Sequence, residues 1–530
     1  MHLIFNVLFM TIVGSIIKHG ISLRSKFPGT IISKHKRFSN PIKTQEKELK
    51  KLIQKSFYTA FGEEFKLKQL LSSKTLIADF KTNVPIYDYN TIYKEWWYRA
   101  LSGEQYVCWP GSVKHFALSS GTSEASSKYI PVTKDMIDAI KKTSVRQLLS
   151  LVNYDFPATF FEKSVLMLGG STHLQYNGTY YAGDLSGITT GNLPFWFEHY
   201  YKPGNQISRE RDWNTKLEEI VKNAPNWDIG VIVGVPSWFQ LLLEKIIDRY
   251  NLKNIHDIWP NLSIFVHGGV AFGPYKKSFE KLLGKPLTYM ETYLASEGFI
   301  AYQSRPDVDS MELVIDNGIF YEFVPINNDN FDDDFNIKRS AKTLNIEEVE
   351  EGVEYALLIS TCAGAWRYLI GDTIRFTSKK LNEIVITGRT KQYLNLCGEH
   401  LSVENLTKAI KMLEDEMEIS VREFTVIGYK RLNASMFAHH WYIGTDSKVD
   451  NKVVAKKIDE YLKILNDDYR VERGDAIKEV NAEILPMEMF YNWMRKHGKE
   501  GSQNKFPRVL TGDKRADWVN FIKEENSKKL

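Results

Sequence analysis

The chain has 530 residues, with 69 Lys and Arg against 65 Asp and Glu for a net charge of +4, and it is 43% hydrophobic and 13% aromatic. That content feeds a large packed core and excludes intrinsic disorder as the main theme, while 33 glycines and 17 prolines exclude collagen-like and low-complexity classes. Interspersed charges of both signs argue against a dedicated nucleic-acid binder, and three scattered cysteines, Cys108, Cys362 and Cys397, argue against a disulfide framework or zinc site and for a reducing, cytoplasmic setting.

The length predicts about three domains, or one large domain with a smaller companion. Met1 to Ile17 is apolar, but no Lys or Arg precedes it and no small-x-small cleavage site follows, so it is expected to be a helix docked on the protein body. Membrane contact is not expected. Residues 44 to 72 read as helix from Leu49, Leu52, Ile53, Phe57 and Phe61 at spacings of three and four. Strand-like and helix-like segments then alternate. Ala117 and Leu118 lead into a Ser/Gly/Thr loop, Ile229 to Val235 is a strand followed by the helical Ser237 to Tyr250, and Leu262 to Val266 is a strand ending in Gly268-Gly269. Such alternation predicts a mainly parallel sheet with helices on its faces.

The pattern changes near residue 312. Glu312 to Ile315 and Ile319 to Val324 flank Asp316-Asn317-Gly318, which predicts a hairpin because Asn-Gly tolerates the positive φ of its turn. Tyr355 to Ser360, Trp366 to Leu369, Ile374 to Thr377 and Ile384 to Thr387 continue as short strands, together a meander or small barrel. After Gly388 the expected order is helix (Val403 to Met417), strand (Glu423 to Tyr429), strand (Phe437 to Ile443), helix (Lys452 to Leu465), strand (Glu479 to Leu485) and helix (Met487 to Lys496). That is a compact α+β unit. The acidic run Asn328 to Asp334 reads as a solvated loop.

Five segments carry the chemistry. Ser119, Ser120, Gly121, Thr122 and Ser123, with Lys128 downstream, form a phosphate-loop candidate: small residues let the backbone wrap an anion and the lysine adds a point charge. It is not a Walker A loop, because Gly-Lys-Ser/Thr occurs nowhere in the chain. In Tyr293-Leu294-Ala295-Ser296-Glu297-Gly298 the tyrosine suits purine stacking, the serine phosphate and the glutamate Mg²⁺. Asp372, after Gly371, suits two ribose hydroxyls, though Gly-Asp is also an ordinary turn. Gly388-Arg389-Thr390-Lys391 suits a hinge that reaches an anionic ligand, and Lys505, in Gly501 to Arg508, suits a loop that swings into a phosphate site.

In this order the segments resemble the adenylate-forming superfamily, and within it the acyl acid-amido synthetases of the auxin-responsive Gretchen Hagen 3 family. The resemblance runs from about Phe57 to Val509. It is carried by SSGTS, by GGSTHLQYNG and YAGDLSGI between 169 and 188, by HGGVAFGPY at 267, YLASEG at 293, YLIGD at 368, GRTKQYLNLCGEHLS at 388 and the terminal QNKFPR. Ala125 departs from it, standing where a second glycine is common in the phosphate loop.

The resemblance implies an α/β fold: a large N-terminal adenylate-forming domain over 1–389, with mixed sheets, helices and a small β-barrel, and a smaller C-terminal α+β lid domain over 390–530. It implies ATP and Mg²⁺ as cofactors, and a carboxylic acid and an amino acid as substrates. The acid attacks the α-phosphate of ATP, pyrophosphate leaves, and the amine then displaces AMP to form an amide. Carried over by position, Ser119 to Ser123 and Lys128 match the phosphate loop, Tyr293 the adenine-stacking tyrosine, and Ser296 and Glu297 the phosphate and Mg²⁺ contacts. Asp372 matches the ribose aspartate, Arg389 the arginine after the ribose strand, Lys391 the hinge and Lys505 the lysine of the adenylation step. Two readings stay open beside this one: transfer of the acyl group to coenzyme A or a carrier thiol, and non-catalytic nucleotide binding. The acyl pocket is expected between roughly residues 130 and 200 and the strands after 312.

Overall fold

The computed structural model describes residues 40–119, 128–193, 195–269, 272–332, 336–390, 394, 401–430, 437–475, 477–499 and 505–527. The apolar N-terminal segment, Ser120 to Ser123, Lys391 and Cys397 lie outside these.

The helical periodicity of 44 to 72 is real but interrupted. A helix over Pro41–Ser56, with Asn40 as its N-cap, is followed by short helices over Ala60–Glu64 and Leu67–Leu70. Thr59 caps the second by accepting from the Gly62 amide, and a Cβ on Gly62 would lie 2.3 Å from the Ser56 carbonyl oxygen. The chain therefore folds back tightly. Leu49, Leu52, Ile53 and Phe61 nevertheless enter one core, where the Phe61 ring stacks on Trp366 at 5.5 Å.

Nineteen strands form the sheets among the described residues. A small sheet has the order β2 (Lys128–Val132), β1 (His115–Ser119), β5 (Tyr181–Gly183), β4 (Gln175–Tyr176). The main sheet has eleven strands. Its parallel half comprises β6 (Tyr201–Lys202), β3 (Ser164–Leu168), β7 (Ile229–Gly234), β8 (Ile264–Gly268) and β9 (Thr288–Ala295). Its antiparallel half continues through β10 (Gly298–Tyr302), β11 (Met311–Leu313), β15 (Glu383–Arg389), β14 (Tyr368–Ser378), β13 (Glu354–Thr361) and β12 (Ile319–Pro325). The α/β and meander regions of the sequence are thus one continuous sheet, joined where β9 turns back into β10. The segments expected as separate strands around 366–377 form the single long β14.

The hairpin expected at Asp316-Asn317-Gly318 does not form: β11 pairs with β10 and β15, and β12 pairs with β13. The buried Gln45 amide parts the two segments, donating to the Ile315 and Ile319 carbonyls at 2.7 and 3.0 Å and accepting from the Tyr321 amide at 2.7 Å. Asp316 pairs with Arg146, and Asn317 donates to the Thr143 hydroxyl. Local turn preference yields to these tertiary partners.

In the middle of β12, Glu322 pairs with Arg367, the two only 1% and 5% exposed. Arg367 donates to both carboxylate oxygens at 2.9 and 3.0 Å and to the carbonyls of Lys81 and Val84. Glu322→Ala should cost about 3–5 kcal/mol in urea unfolding, because it strands a buried guanidinium. A loss below about 1 kcal/mol would mean that the pair contributes little.

The C-terminal sheet has the order β18 (Ile477–Leu485), β17 (Phe437–Gly444), β16 (Glu423–Lys430), β19 (Val509–Leu510). Strand alternation gives it two apolar faces. Trp441 and Ile443 pack with the helices Val403–Met417 and Asn451–Leu465. Tyr442 and Ile427 join the helices Met487–Lys496 and Gly512–Ser527 in a core that includes Trp213, Trp238 and Phe239 from the parallel half. On β17, His439 is buried while His440 lies 3.6 Å from Glu483. Among the described residues no helix is long and apolar enough to cross a membrane.

Candidate active site

A cavity of about 1500 Å³ opens where the β9–β10 turn, the ends of β14 and β15, the β1 end and the 505–508 segment meet. Ser119, Tyr293, Ser296, Glu297, Asp372, Arg389 and Lys505 all line it. Residues separated by almost 400 positions thus share one space.

Of the phosphate-loop candidate, Ser119 on β1 lines the cavity and is the register partner of Lys128 on β2, while the residues between them lie outside the described ones. The Lys128 ammonium lies 5.0 Å from the centre of the Tyr89 ring. Ser296 and Glu297 are the two residues between the paired Ala295 and Gly298, which places both at the tip of the β9–β10 turn.

Glu297 is 7% exposed. Burial first, and Asp372 second, raise its carboxyl to about 7, against opposing contributions from Arg389 and Lys128. Asp372 is engaged on both oxygens: Tyr293 donates its hydroxyl at 2.5 Å, and the Arg389 Nε lies at 2.9 Å. The strand register makes this pair, since Asp372 and Arg389 sit opposite each other on β14 and β15. Gly371 takes φ +90°, which turns the chain so that Asp372 enters the cavity. Tyr293 itself is buried, with its hydroxyl committed to Asp372.

Lys505 reaches the same space from the C-terminal part. It passes over Gly269, where a Cβ would meet the lysine Cε at 3.2 Å, and Gly269 takes φ +84°. Its surface is open to the cavity rather than packed, but the surrounding walls strip water from the ammonium. That desolvation, followed by Arg389, lowers its pKa to about 8, while Asp372 opposes the shift.

Further lining residues went unassigned in the sequence. His267 and Glu291 are register partners on β8 and β9. Burial lowers His267 to about 4, and burial with Asp309 raises Glu291 to about 7. The HGG string marks where β8 reaches the cavity, but nothing local marks Glu291. At the other end the lining comes from Gly170 to Leu185 and from Arg211, Trp213 and Lys216. The helix Lys134–Ser150 contributes no lining residue; it packs beneath β10 and fixes the 316–318 corner.

The arrangement gathers the cations Arg389 and Lys505, the hydroxyls of Ser119 and Ser296 and the carboxylates of Asp372 and Glu297 around one space. A single carboxylate suits Mg²⁺ bound mainly through substrate phosphates. No cluster of three metal-ligating side chains occurs among the described residues.

The model of the GH3 family N-terminal domain matches residues 33–175 and 170–288, that of the central domain 312–389, and that of the C-terminal domain 404–514. The chain belongs to the GH3 family. An indole-3-acetic acid-amido synthetase, GH3.2 of Arabidopsis thaliana, is 22% identical over 511 residues, covering 82% of this chain and 91% of that protein. The jasmonoyl-L-amino acid synthetase JAR6 of Nicotiana attenuata is 22% identical, covering 76% and 78%. The solved GH3.15 acyl acid amido synthetase has the same fold, with a TM-score of 0.73 at 16% identity over 92% of this chain and 94% of that one. A 2-hydroxyisobutyryl-CoA ligase, solved in a postadenylation state with 2-HIB-AMP, superposes with a TM-score of 0.58 at 12% identity, covering 91% and 92%.

Proposed function

We propose that this chain is an ATP-dependent acyl acid-amido synthetase, a ligase that adenylates a carboxylic acid and passes the acyl group to an amino acid. The observation that carries the reading is the convergence of Ser296, Glu297, Asp372, Arg389 and Lys505 on one cavity. Family membership favours an amine over coenzyme A as the acceptor.

In the first step a carboxylate oxygen of the acid attacks the α-phosphorus, the bond to the bridging oxygen breaks, and pyrophosphate leaves with that electron pair. In-line displacement of this kind needs positioning and charge stabilisation more than covalent help from the protein. Lys505 is assigned to the charge developing at the α-phosphate, and Ser119 with Ser296 to phosphate oxygens. Ser120, Gly121, Thr122, Ser123 and Lys128 complete that assignment as the phosphate loop. Asp372 accepts from ribose hydroxyls through lone pairs left free by Tyr293 and Arg389, and Tyr293 borders the adenine. Glu297 is the residue to hold Mg²⁺, which would neutralise the leaving pyrophosphate.

In the second step the amine nitrogen attacks the acyl carbon, the carbon–oxygen bond to AMP breaks, and one proton is released. Residues 390–530 are assigned as a lid that withdraws Lys505 between the steps, with 1–389 as the body and Lys391 near the pivot.

A pyrophosphate-release panel of carboxylic acids with pooled amino acids tests the function. Release that needs both acid and ATP, with AMP and an amide as products, is expected; acid-independent turnover would reject it.

The shifted pKa values of Glu297 and Lys505 predict a pH optimum. Glu297 must be ionised to hold a cation, so adenylation rises with pH through about 7. Lys505 must be protonated, so it falls as pH passes about 8. The kcat/KM for ATP in the pyrophosphate-exchange assay should therefore be bell-shaped, and Lys505→Arg should remove the alkaline limb because guanidinium stays charged. An alkaline limb unmoved in that variant would assign it to another group.

A further inference from the structure

Three residues from distant parts of the chain meet beside the Lys505 segment. The hydroxyl of Tyr275, on the helix Gly273–Glu280, donates to Glu423 Oε1 at 2.7 Å. Arg508 Nη2 donates to the same tyrosine oxygen at 3.0 Å, while its Nη1 pairs with Glu423 Oε2. The Arg508 guanidinium also lies 4.5 Å from the centre of the Phe424 ring and donates to the Phe424 carbonyl at 3.1 Å. Tyr275 is 2% exposed and the Glu423 residue 4%.

The three members do not play equal parts. Glu423 and Arg508 both belong to the C-terminal sheet region, on β16 and immediately before β19, so their pair travels with that region. Tyr275 belongs to the body, three residues beyond the cavity-lining Phe272. Its hydroxyl hydrogen-bonds both members of the buried ion pair and so joins them to the body. Arg508 in turn lies three residues from Lys505, with Phe506 between them wedged against Phe490, Trp493 and Trp518 at ring separations of 4.8 to 5.1 Å. The two residues between them, Phe506 and Pro507, the first fixed in an aromatic cluster, leave Lys505 little freedom relative to Arg508. Other ion pairs between this region and the body are more exposed, Lys277 with Asp415 at 2.8 Å, Arg422 with Glu244 at 3.2 Å and Arg375 with Glu404 at 2.9 Å, and the rest of the contact is apolar packing in the core shared with Trp238 and Phe239.

We infer that Tyr275 is a positioning residue for adenylation: by bonding the Glu423–Arg508 pair across the body and the C-terminal region, it holds Lys505 over Gly269 in the cavity. This rests on the assignment of Lys505 to the first half-reaction. Tyr275 touches no reacting atom. Its effect is confined to the step that needs Lys505 in place, because aminolysis proceeds with Lys505 withdrawn. A phenylalanine in its place keeps the ring and removes the bridging hydroxyl, while Glu423 and Arg508 stay paired with each other.

The test uses the full chain with a carboxylic acid it accepts, reading acid-dependent ATP–pyrophosphate exchange and aminolysis of supplied acyl-adenylate separately. Tyr275→Phe should lower exchange about tenfold or more, the loss of one hydrogen bond to a charged pair, and leave aminolysis within about twofold of the parent. Combined with Lys505→Ala it should add nothing further to the exchange defect, since coupled residues are not additive. Unchanged exchange, or equal loss in both half-reactions, would overturn the inference. If Lys505→Ala alone leaves exchange intact, it is the assignment of Lys505 that fails. Should Tyr275→Phe not fold, Arg508→Lys takes its place: it keeps the charge but cannot span both acceptors, and the same split between half-reactions is required of it.

Discussion

Replacing Lys505 with Ala is expected to lower acid-dependent ATP–pyrophosphate exchange by about 10²–10³-fold, the usual cost of removing one preorganised charge from a developing oxyanion. The lysine reaches into the cavity, where desolvation by the surrounding walls and the nearby Arg389 lower its pKa to about 8. Arg508, three positions on, is committed to Glu423 and Tyr275. Aminolysis of a supplied acyl-adenylate should stay within about twofold, since that step forms no bond to phosphorus. Equal losses in the two assays would place Lys505 in general substrate binding instead. Separating the half-reactions is essential, because the overall rate would fall in either case.

The second large effect is expected at Asp372. Asp372→Ala removes the acceptor of the Tyr293 hydroxyl and the partner of Arg389 together, and with them the proposed ribose contact. At about 1.5–3 kcal/mol for each hydrogen bond to a charged group, the KM for ATP should rise about a hundredfold or more, and Asp372→Asn, which keeps the shape but not the charge, should fall between. Isothermal titration with a non-hydrolysable ATP analogue checks this directly. Unaltered affinity in Asp372→Ala would leave the carboxylate a structural partner of Arg389 and move the nucleotide elsewhere in the cavity.

The sequence was most legible where local signals agreed with tertiary demands. The helices Val403–Met417 and Met487–Lys496 fall where their apolar periodicity puts them, the first begun by a capping box between Ser402 and Asn405. The strands Ile229–Gly234 and Ile264–Gly268 are apolar runs of the kind expected inside a parallel sheet. Legibility failed where a distant side chain decided the outcome. Asp316-Asn317-Gly318 has the chemistry of a hairpin turn, but Gln45, some 270 positions away, takes the backbone groups a hairpin would have paired. Within the site, Tyr293, Glu297, Asp372, Arg389 and Lys505 could be named because each lies in a distinctive string, and the fold brings these five together. Glu291 and Tyr275 could not be given roles. The significance of Glu291 comes from burial at the cavity wall, and that of Tyr275 from contacts with Glu423 and Arg508, 148 and 233 positions away.

The account depends on an acyl-adenylate forming in this cavity, and the path of the acid's oxygen atoms reports on it. With a carboxylic acid labelled with ¹⁸O in both carboxylate oxygens, ATP, Mg²⁺ and an amino acid, mass spectrometry should find one labelled oxygen in AMP and the other in the amide. Label in inorganic phosphate with ADP as the co-product, or unlabelled AMP beside a labelled amide, would contradict it.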